Sequence, residues 1–97
     1  MPYLQGDALK ALLRRQSSLQ DDALLDRFVA LSRDLISKAR DGQIAEEGAS
    51  IRSLLDACDL AAFMSPLRAI RRAIADKLDD ERERAAVLTI AETLFDS

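Results

Sequence analysis

Apolar residues recur along this chain at steps of three and four, the spacing that lines one face of a helix. Leu9, Leu12 and Leu13 follow Gly6-Asp7 and predict a first helix over about residues 8–16. Gln16 to Gln20 reads as a polar turn. Leu24, Leu25, Phe28, Leu31, Leu35 and Ile36 predict a second helix, the longest, opened by Asp21 or Asp22 and stopped by Gly42. Gln43 to Ala49 reads as a loop with Ile44 tucked beneath it. In that loop Gly48 can supply a positive φ angle that other residues resist. A third helix is predicted from Ile51 to about Phe63, capped by Ser50, with Leu54, Leu55, Cys58 and Ala62 inward. Ser65-Pro66 is a start signal, because serine caps and the missing proline N–H costs nothing at the first helical position. Leu67, Ile70, Ile74 and Leu78 mark one face of the fourth helix. Asp80 with Glu83 has capping-box spacing and opens a fifth, with Val87, Leu88, Ala91, Leu94 and Phe95 inward. No stretch alternates with period two over a useful length. The pattern predicts an all-α fold, a compact bundle of four to five short helices forming a single domain over 1–97.

The composition agrees. Gly 3 and Pro 2 are few, and a hydrophobic fraction of 48% is that of a folded chain. The net charge of −3 provides no global basic field to attract nucleic acid. With no His, no Trp and a single Cys, the chain has little to offer catalysis and lacks the usual zinc ligand set. Cys58 cannot form an internal disulfide, which suits a reducing compartment. No apolar run approaches the length of a membrane span, and no signal peptide is visible. The expectation is a soluble, cytoplasmic protein with no metal and no membrane partner.

The candidate chemistry is narrow. There is no G-x-x-x-x-G-K-[ST] run and no G-x-S-x-G elbow. Asp79, Asp80, Glu81 and Glu83 cluster at a predicted helix start, where negative charge is favourable. Cys58 reads as a buried structural thiol. Arg68, Arg71 and Arg72 share the fourth helix and form either a solvated face or a grip for phosphates or an acidic partner. Asp76, four residues after Arg72, can partly neutralise it. Arg52 stands two residues past the Ser50 cap, near the positive end of the helix dipole, where a cation gains nothing. Either it pairs with Asp56, Glu46 or Glu47, or it serves a ligand.

The order of residues from 46 to 80 adds a resemblance. Glu47-Gly48-Ala49-Ser50-Ile51-Arg52-Ser53-Leu54-Leu55 resembles the E-G-x-S-T-R-x-L-L run of MoxR-type AAA+ ATPases, especially the CbbQ, NorQ and CobS branch. Ala57 to Ala62 is similar to the small-residue helix that follows. Pro66-Leu67-Arg68-Ala69 resembles the P-x-x-A helix start, and Leu78-Asp79-Asp80 the L-x-D-D turn before the last helix. Tyr3-Leu4 resembles the end of the hinge between core and lid, making 1–6 a hinge-like segment and 7–97 the bundle. Ile51 departs from the usual Thr, and Gln5 from a frequent Pro.

The resemblance implies a C-terminal α-helical lid. It would close over ATP and Mg held by a separate core domain, with Arg52 as the sensor-2 arginine. Neighbouring ring subunits would be partners beside that core, Arg68, Arg71 and Arg72 would be a subunit or partner contact, and the client protein is left open. The nucleotide-binding core is missing from the chain itself, so catalysis by this chain alone is not expected. The alternative is a free-standing helical interaction module, for which Met1 would be a natural start. A third possibility, a small nucleic-acid-binding domain, runs against the net charge.

Overall fold

The computed structural model describes residues 5–95. The hinge-like reading of Tyr3-Leu4 lies outside them. Five α-helices follow in order: α1 (Gly6–Gln16), α2 (Asp22–Arg40), α3 (Ile51–Ala61), α4 (Pro66–Ala73) and α5 (Glu81–Leu94). Short 3-10 turns occupy Glu46–Ala49 before α3 and Ala75–Lys77 after α4. No strand occurs among the described residues.

The predicted inner faces meet in one core. Leu9, Leu13, Leu25, Phe28, Leu31, Leu35, Ile70, Ile74 and Val87 are each at or below 1% exposed. The rings of Phe28 and Phe95 lie 4.8 Å apart and tilted, a contact that ties the end of the chain to α2. α3 packs chiefly on α4, while α2 packs on α1 and α5. Ile44 is buried, as its place under the loop required.

Each helix start follows from its sequence. Asp21, rather than Asp22, caps α2 by accepting the Leu24 N–H at 3.2 Å. Ser65 accepts the Arg68 N–H at 3.4 Å, with Pro66 in the first turn of α4. Gly42 ends α2 at φ +77°; its N–H bonds to Ala39 O and that of Gln43 to Lys38 O. This is a Schellman stop, which needs the left-handed conformation glycine adopts freely.

Several expectations give way to packing. Gly48 does not adopt a positive φ; it is buried within the 3-10 turn. The third helix ends at Ala61, so Ala62 and Phe63 are exposed and Ala61 faces inward instead. The fourth is not continuous to Leu78: it closes at Ala73 and tightens into the 3-10 turn, yet Ile74 and Leu78 remain buried. Leu12, Leu24, Leu55, Leu67, Leu88 and Leu94 are half-buried at the margin of the core. The capping box at Asp80 does not form. Asp80 accepts the Arg82 N–H at 2.7 Å, and Glu83 instead accepts the Ala45 N–H at 2.7 Å.

Candidate functional site

Arg52 sits in the first turn of α3, and three features fix that turn. Ser50, in extended conformation, accepts the Ser53 N–H at 3.2 Å and donates its hydroxyl to Ser53 Oγ at 3.1 Å. Ser53, Leu54, Ala57 and Cys58 are buried, so the helix is locked to the core along one side. The preceding turn is held by the Gly48 N–H on Ala45 O at 3.0 Å and by Glu83 of α5 on the Ala45 N–H.

The other side of α3 faces outward. Arg52 is exposed, and Ile51 beside it is 41% exposed. Among the described residues no acid forms an ion pair with Arg52. Asp56, the partner expected one turn on, pairs with Lys77 at 2.9 Å. A permanently charged fork therefore stands at the positive end of a helix dipole, without an acid paired to it among the described side chains, of which Glu47 is not one. An anion placed there gains from the guanidinium and from the helix end together.

The remaining candidates separate cleanly. Arg68, Arg71 and Arg72 are exposed on α4, away from the head of α3 in sequence and element. They line clefts between α4 and its neighbours, with Asp76 and Glu92 nearby but not within ion-pairing distance. Cys58 is fully buried, and burial together with the Asp59 charge pushes its thiol up to about 12. It is a packed thiol, not a nucleophile. Among the described residues no three His, Cys, Asp or Glu side chains converge as metal ligands. Among those residues, too, no helix is long and apolar enough to cross a membrane.

One polar cluster went unread in the sequence. Lys10 on α1 pairs with Asp22 at 3.1 Å and Asp26 at 2.8 Å on α2, and Arg14 pairs with the same Asp22 carboxylate. Only the four-residue spacing of Lys10 and Arg14, and of Asp22 and Asp26, hinted at it. The Asp26 and Asp22 hydrogen bonds raise the Lys10 pKa, and those of Lys10 and Arg14 lower that of Asp22.

Five described helices around a leucine-rich core, with Arg52 exposed on the Ser50-capped first turn of α3, make up the class that fold and site define. The chain belongs to the CbbQ/NirQ/NorQ C-terminal family, which it matches over residues 10–94. That membership is consistent with the C-terminal lid of MoxR-type AAA+ ATPases. A Bacillus subtilis (strain 168) relative, "Uncharacterized protein YojN", is 58% identical over 96 residues, covering 99% of this chain and 32% of the relative. An uncharacterized Staphylococcus aureus (strain COL) protein is 47% identical over 93 residues, covering 96% and 35%. The chain thus spans about a third of the length of these curated relatives. No solved structure matches it.

Proposed function

We propose that this chain acts as the lid that closes over ATP on a separate AAA+ core, and that Arg52 is the cation it lays on the phosphates. The observation that carries the reading is the exposed Arg52 guanidinium, with no ion pair among the described residues, on the first turn of a helix bolted to the bundle's core. A side chain so placed moves as one with the whole bundle. Rotation of the lid about a hinge would bring it to the nucleotide or withdraw it. The planar fork suits phosphate oxygens, and the helix dipole adds to its pull on negative charge. ATP and Mg would be held by the core domain, with neighbouring ring subunits around it; of the site residues, this chain contributes Arg52 alone.

The test is Arg52→Ala in a protein containing both core and lid. A charge-assisted contact is worth ~1.5–3 kcal/mol, so its loss from the transition state slows turnover by about 10–100-fold. Affinity for a fluorescent ATP analogue, measured separately, should fall as well, with helicity and melting temperature unchanged. Turnover and affinity equal to the parent's would overturn the assignment.

A further inference from the structure

The arginines of α4 form a second feature that does not involve Arg52. Arg68 and Arg71 line two clefts at once and so make the ridge between them. On one side lies a cleft of about 250 Å³ with Leu67, Leu88 and Glu92. On the other lies one of about 470 Å³ with Met64, Arg72 and Asp76. In the first, two guanidinium groups face one carboxylate; in the second, three face one. None of the three arginines has an ion-pair partner among the described residues. A chain of net charge −3 therefore concentrates unneutralised cations on one short helix.

Apolar side chains line the clefts as well, Leu67 and Leu88 in one and Met64, the chain neighbour of Phe63, in the other. The turn into α4 is fixed by the N–H groups of Phe63 and Met64, both bonded to Leu60 O, at 2.9 and 3.0 Å. That rigid turn leaves Phe63 79% exposed, although apolar side chains gain from burial. Leu67 and Leu88 are also only half-covered.

We propose that this face docks an acidic polypeptide segment of a partner protein, one that presents carboxylates and apolar side chains together along one side. An extended segment sends successive side chains to opposite sides, so every second residue faces the same way. Carboxylates and apolar residues that take turns at every second position face the protein together: the carboxylates reach the Arg68–Arg71 ridge, and the apolar side chains enter the clefts and cover Phe63, the chain neighbour of Met64. Arginine's fork favours carboxylates geometrically. Nucleic acid fits less well. Glu92 and Asp76 in the clefts, and Asp56 and Asp59 beside Arg72, would repel a continuous phosphate backbone. The single-strand binder's array of stacking aromatics is also missing, with aromatic residues at 4%.

The test uses the 97-residue chain and a short fluorescein-labelled peptide in which glutamate and leucine take turns at every second position with serine between them, followed by fluorescence anisotropy. The peptide should bind, and glutamine in place of glutamate should weaken it by about tenfold or more, as loss of charge-assisted bonds requires. Arg71→Glu, and Arg71→Gln as a milder variant, should weaken it by about as much, with unchanged far-ultraviolet circular dichroism. Arg15→Glu, an equal charge change on α1, should leave binding within about twofold, as screened distant charge does. Phe63→Ala should also weaken the peptide. Equal losses for Arg71→Glu and Arg15→Glu, or no binding at all, would overturn the proposal. So would tighter binding of oligothymidylate than of the peptide. Self-association of the chain through this face, abolished by Arg71→Glu in sedimentation, would replace the partner with a second copy and would equally overturn it.

Discussion

Glu83 of α5 accepts the backbone N–H of Ala45 at 2.7 Å, across 38 residues of sequence. The last helix thereby holds the segment that leads into α3 and so sets where Arg52 stands. A half-buried, charge-assisted bond of this kind contributes about 1–2 kcal/mol. Glu83→Ala should lower stability by about that amount and speed hydrogen exchange at the Ala45 amide by about tenfold, since ~1.4 kcal/mol is a factor of ten. Glu83→Gln keeps a carbonyl acceptor and should fall between the two. Unchanged Ala45 protection in the alanine variant would exclude the tether.

The two glycines that flank this segment should behave oppositely. Gly42 stands at φ +77°, and alanine there should cost about 1 kcal/mol or more, because the left-handed backbone resists a side chain. Gly48 has no such angle. A Cβ on it would meet Ile44 and Leu78 methyl carbons at 3.5 Å, an ordinary contact. Gly48→Ala should be neutral or stabilise by up to about 1 kcal/mol, through a less flexible unfolded chain. Paired melting curves of the two variants decide the matter, and equal losses would contradict it.

The clasp between α1 and α2 should make stability depend on pH at both ends of the scale. Asp22 is held below its usual value by Lys10 and Arg14. Its contribution is present above the unfolded carboxylate pKa of 3.8 and is lost as pH falls through the lower folded value. Lys10 is raised by Asp26 and Asp22, so its contribution is complete below 10.5 and fades as pH rises through the higher folded value. Asp22 is exposed and Lys10 half-buried, so the effect should be small and weaken in high salt. Lys10→Met should flatten the alkaline limb and shrink the acid one. Limbs identical to the parent's would exclude the clasp.

How much of this was legible in the sequence depends on the range of the interaction. Helix faces rest on local spacing, so Leu9, Leu13, Phe28, Ile70 and Val87 were readable as core, and Ser50, Ser65 and Asp80 as caps. The break after Ala73 was not. Ile74 and Leu78 keep the same four-residue spacing, and only the i-to-i+3 bonds of Lys77 and Leu78 (3.2 and 3.0 Å) mark the tighter turn. Side-chain partners were the least readable. Glu83 and Asp80 carry capping-box spacing, and Arg52 and Asp56 ion-pair spacing. In each pair the acid turns to a distant group, Glu83 to Ala45 and Asp56 to Lys77. The position of Arg52 in the first turn was visible; that Asp56 would not pair with it was settled by Lys77, 21 residues on from that acid.

Ser50 links the stability of the bundle to the aim of Arg52. Its Oγ takes the Ser53 N–H, a donor that would otherwise be left unpaired at the start of α3. Ser50→Ala should cost about 1 kcal/mol, the usual worth of such a cap, and Ser50→Asp should recover most of it. The first turn should fray in the alanine variant while the buried residues from Leu54 onward hold the rest of α3. Arg52 would then ride on a loosened turn. In a protein containing both core and lid, ATP turnover should fall by less than with Arg52→Ala, because the guanidinium is kept but no longer held in place. A drop in the denaturation midpoint together with a partial loss of turnover, both restored by Ser50→Asp, is the expected result. An unchanged midpoint would remove Ser50 as the cap. Turnover lost as completely as with Arg52→Ala would mean that Ser50 itself reaches the nucleotide.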